Sequence, residues 1–91
     1  MAFPKGILAN LLHIFEMIEE FGPALGNPYT KTLGNGLFEI RAKGKEGIGR
    51  SLFCTIKGKK VIILHSFIKK SQKISQNELQ LARKRLKEVN K

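Results

Sequence analysis

The hydrophobic and polar positions at the start of the chain recur with the period of an α-helix. Apolar residues fall on one stripe at 100° per residue, namely Ile7, Leu8, Leu11, Ile14, Phe15 and Ile18. His13, Glu16 and Glu20 fall on the opposite, solvated side. Because Pro4 suits a first helical turn and Gly22-Pro23 ends the stripe, the pattern predicts a helix over residues 4–21. The Gly- and Pro-rich stretch 22–36 is predicted to be a loop with a turn at its end.

Three segments in the middle of the chain have the pattern of β-strands. Residues 37–42 and 48–57 alternate, so each is predicted to bury one face. Arg41 lies on the polar face of the first segment. Arg50 lies on the same side of the second segment as its apolar residues, which is unusual for a cation in a strand. Residues 61–68 are apolar on both faces and rich in β-branched side chains, which predicts a central strand covered on both sides.

A second helix is predicted after these strands. Ser75 and Glu78 have the spacing of a capping box. Apolar residues then recur at helical spacing up to about residue 90, namely Leu79, Ala82, Leu86 and Val89. The element order predicts an α+β fold in a single domain over residues 1–91: a small antiparallel sheet of about three strands, packed against an N-terminal and a C-terminal helix.

Charged residues are distributed unevenly along the chain. Residues 1–40 contain 2 basic and 4 acidic side chains, whereas residues 41–91 contain 15 basic and 3 acidic ones. The formal net charge is +10. Such a field attracts polyanions, of which nucleic acid is the most abundant in a cytosol. A charge that only keeps the protein in solution explains the total better than the segregation, so we expect an anionic partner.

The residue types present exclude several chemistries. One Cys and two distant His cannot build a structural zinc site, the chain contains no Asp for a Ser–His–Asp triad, and neither a P-loop nor a Rossmann fingerprint occurs. We therefore expect no metal and no cofactor. Cys54 lies on the buried parity of its strand and is interpreted as a core residue. With one Cys, no segment of membrane-spanning length and no recognisable export signal, we expect a cytoplasmic protein.

The remaining candidates for chemistry are cations attached to the predicted sheet. They are Arg41, Arg50, His65, Lys69, Lys70 and Lys73. If the strands are antiparallel neighbours, these side chains can form a cationic groove for phosphate. Fixed cations can also stabilise the transition state of RNA cleavage, for which RNA supplies its own 2′-OH nucleophile.

Each of these cations also has a structural interpretation. The lysines can be a solvated strand end that prevents aggregation. Arg41 can form a surface ion pair with Glu39 or Glu46. His65 can be a satisfied, partly buried histidine. From composition and spacing alone, we expect a small basic α+β domain that binds RNA or DNA.

Three segments in a fixed order give the chain a resemblance to a known family. They are FEIR at 38–41, GR at 49–50 and VIILHSFIKKSQKISQNELQLARKR at 61–85. They resemble the RelE/HigB superfamily of toxins from type II toxin–antitoxin systems, and more narrowly its phage-derived HigB-like branch. The resemblance implies a RelE-like fold and an endoribonuclease that cuts mRNA on the ribosome. It also implies a cognate antitoxin of the helix-turn-helix type, which alone would contact operator DNA.

The resemblance also implies roles for individual residues. Arg41 and Arg50 would stabilise the scissile phosphate, and Lys69 and Lys70 would take the place of the family's basic catalytic residue. RNA-binding residues would be Lys43, His65 and Lys73. Relatives usually begin with a further strand and a short helix, so a shortened, inactive toxin that still binds RNA or ribosomes is the alternative, and a basic face that docks an acidic protein is the third.

Overall fold

A computed structural model describes residues 3–56, 60–68 and 73–89. In chain order it contains α1 (Lys5–Phe21), β1 (Thr30–Gly34), β2 (Leu37–Gly44), β3 (Gly47–Ile56), β4 (Lys60–Ile68) and α2 (Gln76–Val89). Each strand pairs antiparallel with the next, so the sheet order is β1-β2-β3-β4. The predicted α+β architecture, with a helix at each end of the chain, is confirmed, and it is broadly RelE-like.

The prediction of about three strands was wrong, because the described residues form a sheet of four. The additional strand is β1, which lies inside the segment 22–36 that was predicted to be a loop. Asn35 and Gly36 have φ values of 54° and 82°, and two positive values are what a type I′ hairpin turn requires. The predicted turn at Asn35-Gly36 therefore joins two strands, and β1 escaped prediction because it is short and mostly polar.

The prediction of a central position for the last strand was also wrong, since β4 lies at an edge of the sheet. Its two faces are nevertheless both covered, with Val61 and Ile68 packed on the α1 side and Ile62 and Phe67 on the α2 side. Apolar residues on both faces thus reflect the two helices and carry no information about strand neighbours. Leu64 is an additional residue in the β3–β4 register and forms a β-bulge.

Helix α1 packs on one face of the sheet, mainly on β2. Its buried stripe of Ile7, Leu11, Ile14 and Ile18 meets Ile40, Ala42 and Phe53. The helix approaches β2 closely at Gly44, where a Cβ atom would lie 2.6 Å from the backbone nitrogen of Ile7. The exposed side of α1 carries His13, Glu16 and Glu20, as predicted.

Helix α2 packs on the opposite face of the sheet. Its apolar residues join a second core with Leu37, Leu52, Cys54 and Leu64, contributed by the strands. Neither α1 nor α2 is long and apolar enough to cross a membrane, and they are the helices of the part of the chain described here. Candidate site residues on the α2 side are therefore separated from the acidic outer face of α1 by the whole sheet.

Candidate functional site

The register of β2 and β3 brings together the two arginines that were predicted to contact phosphate. Arg41 and Arg50 are directly opposite each other in the antiparallel pair. Residues in this relation have Cβ atoms only about 4.5–5.5 Å apart and project from the same face of the sheet. Two like charges so placed repel each other, so the pairing requires a neighbouring anion.

Glu39 is that anion. It precedes Arg41 by two residues on β2 and therefore shares its face. Its Oε1 accepts a hydrogen bond from Arg41 Nε at 3.1 Å. Its Oε2 lies 3.4 Å from Arg50 Nε, an ion pair without hydrogen-bond alignment. One carboxylate thus contacts both guanidinium groups.

The three side chains differ strongly in exposure. The side chains of Glu39 and Arg50 are each 1% exposed, whereas that of Arg41 is 35% exposed. The predicted Arg41–Glu39 ion pair is confirmed, but it is half-buried rather than a surface pair. Arg50 lies beneath this ion pair and contacts Glu39, which explains why a cation lies on the buried side of β3.

A cavity of about 230 Å³ opens above this cluster, between the sheet and α2. Its charged lining residues are Lys31, Glu39, Arg41, Arg50, Lys73 and Arg83, and its apolar ones are Leu33, Ile74 and Leu79. Five cations therefore surround a single carboxylate. Because guanidinium groups match the geometry of phosphate oxygens, the cavity has the chemistry of a phosphate-binding site. We call these nine residues the basic cavity.

A second concavity of about 470 Å³ adjoins the basic cavity. Lys31 and Arg41 line both. Its other lining residues come from the segment before β1 and from β1 itself, namely Ala24, Gly26, Asn27, Thr30 and Thr32. Thr30 is buried, and its Oγ1 donates to the Pro23 carbonyl at 2.9 Å and accepts from the Gly26 amide at 3.1 Å. This wall is therefore held in place by side-chain hydrogen bonds.

Helix α2 forms the far wall of the basic cavity and is held by polar contacts at several points. The Glu78 amide donates to Ser75 Oγ at 3.2 Å, which confirms the Ser75 half of the predicted capping box. Arg83 Nη2 donates to the Leu33 carbonyl at 3.1 Å. Arg85 Nη1 donates to the Leu64 carbonyl at 2.6 Å. The contact with Leu33 holds Arg83 on the cavity side of the helix.

The structure brings three of the predicted site residues into the basic cavity, namely Arg41, Arg50 and Lys73. Lys43 is exposed on β2 and is not among the described residues that line the cavity. His65 lies elsewhere: its Nε2 is 3.0 Å from Glu78 Oε2, and it lines a separate concavity with Arg85. Lys69 and Lys70 lie outside the described residues, so their predicted catalytic role stays a prediction.

Sequence reasoning missed Lys31, Glu39 and Arg83 as members of the site. The Glu-x-Arg spacing on a strand places Glu39 beside Arg41. Arg50 lies on the buried side of the neighbouring strand, and a buried cation indicates that an acidic partner is buried beside it. No comparable signal exists for Lys31 or Arg83, because their approach depends on β1 and on the placement of α2.

The interpretation of Cys54 as a core residue agrees with its environment. Cys54 is buried in the core on the α2 side. Desolvation by burial raises the pKa of its thiol, whereas an activated nucleophile needs a lowered pKa.

Comparison with known proteins assigns the chain to a family. A family model described as phage-derived protein Gp49-like (DUF891) matches residues 1–87. The chain belongs to the Gp49-like family. This family is part of the RelE/HigB-like superfamily of toxins from toxin–antitoxin systems, and membership of the Gp49-like family implies an antitoxin as a partner. No curated protein matches the chain.

Proposed function

We propose that this Gp49-like protein is a toxin that cleaves mRNA as an endoribonuclease on the ribosome. The RNA 2′-OH loses its proton and attacks the adjacent phosphate, the bond from phosphorus to the 5′-oxygen of the next nucleotide breaks, and that oxygen leaves with a proton. The observation that carries the proposal is the basic cavity, in which five cations surround one buried carboxylate. Family membership supports the toxin part of the proposal, since the superfamily consists of toxin–antitoxin toxins. The phosphate chemistry rests on the cavity.

Each part of the basic cavity has a role in this proposal. Arg41, which is partly exposed, donates hydrogen bonds to the scissile phosphate, and Arg50 adds positive charge from beneath. Lys31, Lys73 and Arg83 hold the neighbouring phosphates. RNA continues from the basic cavity into the concavity beside β1, because Lys31 and Arg41 border both. Lys69 and Lys70 are proposed to supply acid–base groups, and Lys43 to bind RNA backbone.

The proposed partners follow from membership of the toxin–antitoxin superfamily. We propose that the cognate antitoxin is a helix-turn-helix protein that neutralises the toxin, and that only this antitoxin contacts operator DNA. The protein acts in the cytoplasm, where its mRNA substrate is translated.

Induction of the protein in growing cells tests this function. We expect wild type to arrest growth and to produce new mRNA 5′ ends in primer extension on a reporter message, whereas Arg41→Ala does neither. Lys5→Ala serves as the matched control, because Lys5 is an exposed cation on α1. In a purified assay, cleavage only when ribosomes are added supports ribosome dependence. A folded wild-type protein that neither arrests growth nor cuts mRNA contradicts the proposal.

A second candidate function is binding of RNA or ribosomes without cleavage. It is favoured by one observation: the described residues that line the basic cavity include one carboxylate, Glu39, and no histidine, and the Glu39 side chain is 1% exposed. Under this alternative, wild type and Arg41→Ala both leave mRNA intact, and RNA affinity falls with each cation removed.

A further inference from the structure

The cluster of Glu39, Arg41 and Arg50 has a charge balance that matters for phosphate. Glu39 with Arg41 alone would be a neutral pair with little attraction for an anion. Arg50, buried beneath, gives the three side chains a net charge of +1. Arg41 can therefore be held by a carboxylate without losing the positive field of the site.

The atoms that make the contacts leave Arg41 suited to bind a ligand. Glu39 Oε1 accepts from Nε of Arg41, at the base of the guanidinium group. The two terminal nitrogens of a guanidinium group form the fork that matches two phosphate oxygens. A contact at Nε fixes the plane of the group without using that fork. Arg41 is the most exposed of the three side chains.

We propose that Glu39 is a positioning residue: its carboxylate, anchored by buried Arg50, holds the Arg41 guanidinium group in the orientation that receives the RNA phosphate. This inference rests on the proposed function, since the phosphate is that of the RNA substrate. Glu39 acts through Arg41 and does not touch the substrate, because its side chain is 1% exposed. Preorganised groups cost no reorientation when charge develops in the transition state.

Substitution of Glu39 should slow cleavage without weakening RNA binding if this role is correct. Glu39→Gln keeps the shape of the side chain, but it replaces one of the two acceptor oxygens with an NH2 group that can only donate. The site also becomes more positive by one charge. We expect cleavage per folded molecule to fall roughly 10- to 100-fold, the scale of a small misplacement at a reacting centre. Binding of an uncleavable RNA with a 2′-deoxy sugar at the scissile position should stay equal or become tighter. A merely structural role would weaken both together.

Two further variants keep the test decisive. Glu39→Asp retains the charge that balances Arg50 but withdraws the carboxylate by one methylene group, so a folded protein with slower cleavage is expected even if Glu39→Gln does not fold. Glu20→Gln is the matched control, since it removes one negative charge from the exposed side of α1. We expect that control to cleave as wild type does.

The orientation of the arginines can be measured without any activity. The Nε–Hε signals of Arg41 and Arg50 in ¹⁵N NMR spectra, assigned with Arg41→Lys and Arg50→Lys, should be sharp and protected from solvent exchange in wild type. In Glu39→Asp the Arg41 signal should broaden or exchange faster. If wild type is inactive while this change occurs, the ribonuclease function fails and the contact between Glu39 and Arg41 stands.

Three results would overturn the positioning role. One is an unchanged Arg41 signal in Glu39→Asp, whatever the activity. Another is full cleavage by Glu39→Asp or Glu39→Gln. The third is loss of the acidic limb of the pH–rate profile in Glu39→Gln with Arg41 order unchanged, which would make Glu39 a proton acceptor instead.

Discussion

Arg50 and Arg41 carry the same charge in very different surroundings, and this difference separates stability from activity at the residue scale. Arg50→Ala removes the buried partner of Glu39. The Glu39 carboxylate, which is 1% exposed, then has less positive charge to balance its own. Breaking such a buried pair costs about 3–5 kcal/mol of the free energy of unfolding. Arg41 is 35% exposed, so Arg41→Ala should cost about 1 kcal/mol or less. Urea denaturation of both variants measures the difference.

For the direct effect on the mRNA cleavage rate, the order of the two variants should be reversed, with the larger loss in Arg41→Ala. Arg41→Ala, although folded, should lose about 100-fold or more of the mRNA cleavage rate, because a donor to the phosphate is removed. Lys5→Ala is the control, since Lys5 is an exposed cation on α1, on the other side of the sheet from the basic cavity. Equal stability of Arg50→Ala and wild type would mean that the Glu39–Arg50 pair is not buried in solution.

Arg50 also shows what a sequence can reveal about a site. Its place on an apolar parity already indicates a buried cation, and Glu39 is the acid nearest to Arg41 on the same face. What could not be predicted is the register that sets Arg41 opposite Arg50, because a shift by one residue would move one arginine to the other face of the sheet. Lys31 and Arg83 depend on longer-range packing still, and their spacing in the chain gives no signal.

At the scale of an element, the N-terminal turn of α2 supports the far wall of the basic cavity. Ser75→Ala removes the cap on the Glu78 amide and should cost about 0.5–2 kcal/mol of stability. We expect faster hydrogen exchange at that amide and weaker binding of uncleavable RNA, since Lys73 lies just before this turn and Arg83 lies further along the same helix. Ser75→Asn, which is an equally good cap without a charge, should behave as wild type. If Ser75→Ala shows unchanged exchange, the cap does not hold the wall.

The contact between α1 and β2 permits a prediction that is independent of function. In Gly44→Ala the new Cβ would meet backbone atoms of α1 at 2.6 and 2.7 Å, so helix and strand must separate, at a cost of about 1–3 kcal/mol. In Gly6→Ala the new Cβ would meet mainly the flexible end of Glu46, and alanine gains about 1 kcal/mol in helix propensity, so the net change should be small. Thermal unfolding of both variants tests the contrast, and a Gly44→Ala protein as stable as wild type would contradict the close approach.

The strands show where pattern reasoning ends at the element scale. Alternation predicted β2 and β3 almost to their ends, but the prediction of one buried face was wrong for both strands. In β2, Leu37 is buried on the α2 side and Ile40 on the α1 side, and in β3 every residue from 49 to 54 is buried. Alternation could not predict β1, whose residues are mostly exposed or half-buried and whose identity depends on the Asn35-Gly36 hairpin. It misplaced β4 because hydrophobicity reports which faces are covered and not which edges are paired.

For the whole molecule, the segregation of charge along the sequence becomes a segregation across the sheet. The exposed carboxylates of α1 lie on one side, and the cations of the basic cavity lie on the other. RNA should therefore approach from the α2 side, and its affinity should fall as salt rises, because bound phosphates release counterions. The distribution of charge, and not only its total of +10, determines which lysines matter.

The slope of log K against log salt concentration tests this distribution. For single-stranded RNA each neutralised phosphate contributes roughly −0.7 to the slope. Lys31→Ala and Arg83→Ala should each make the slope less steep by about that amount, because both side chains line the basic cavity. Lys5→Ala removes the same charge from α1 and should leave the slope unchanged. Equal effects of all three variants would mean that RNA responds to net charge alone and that the basic cavity is not the binding site.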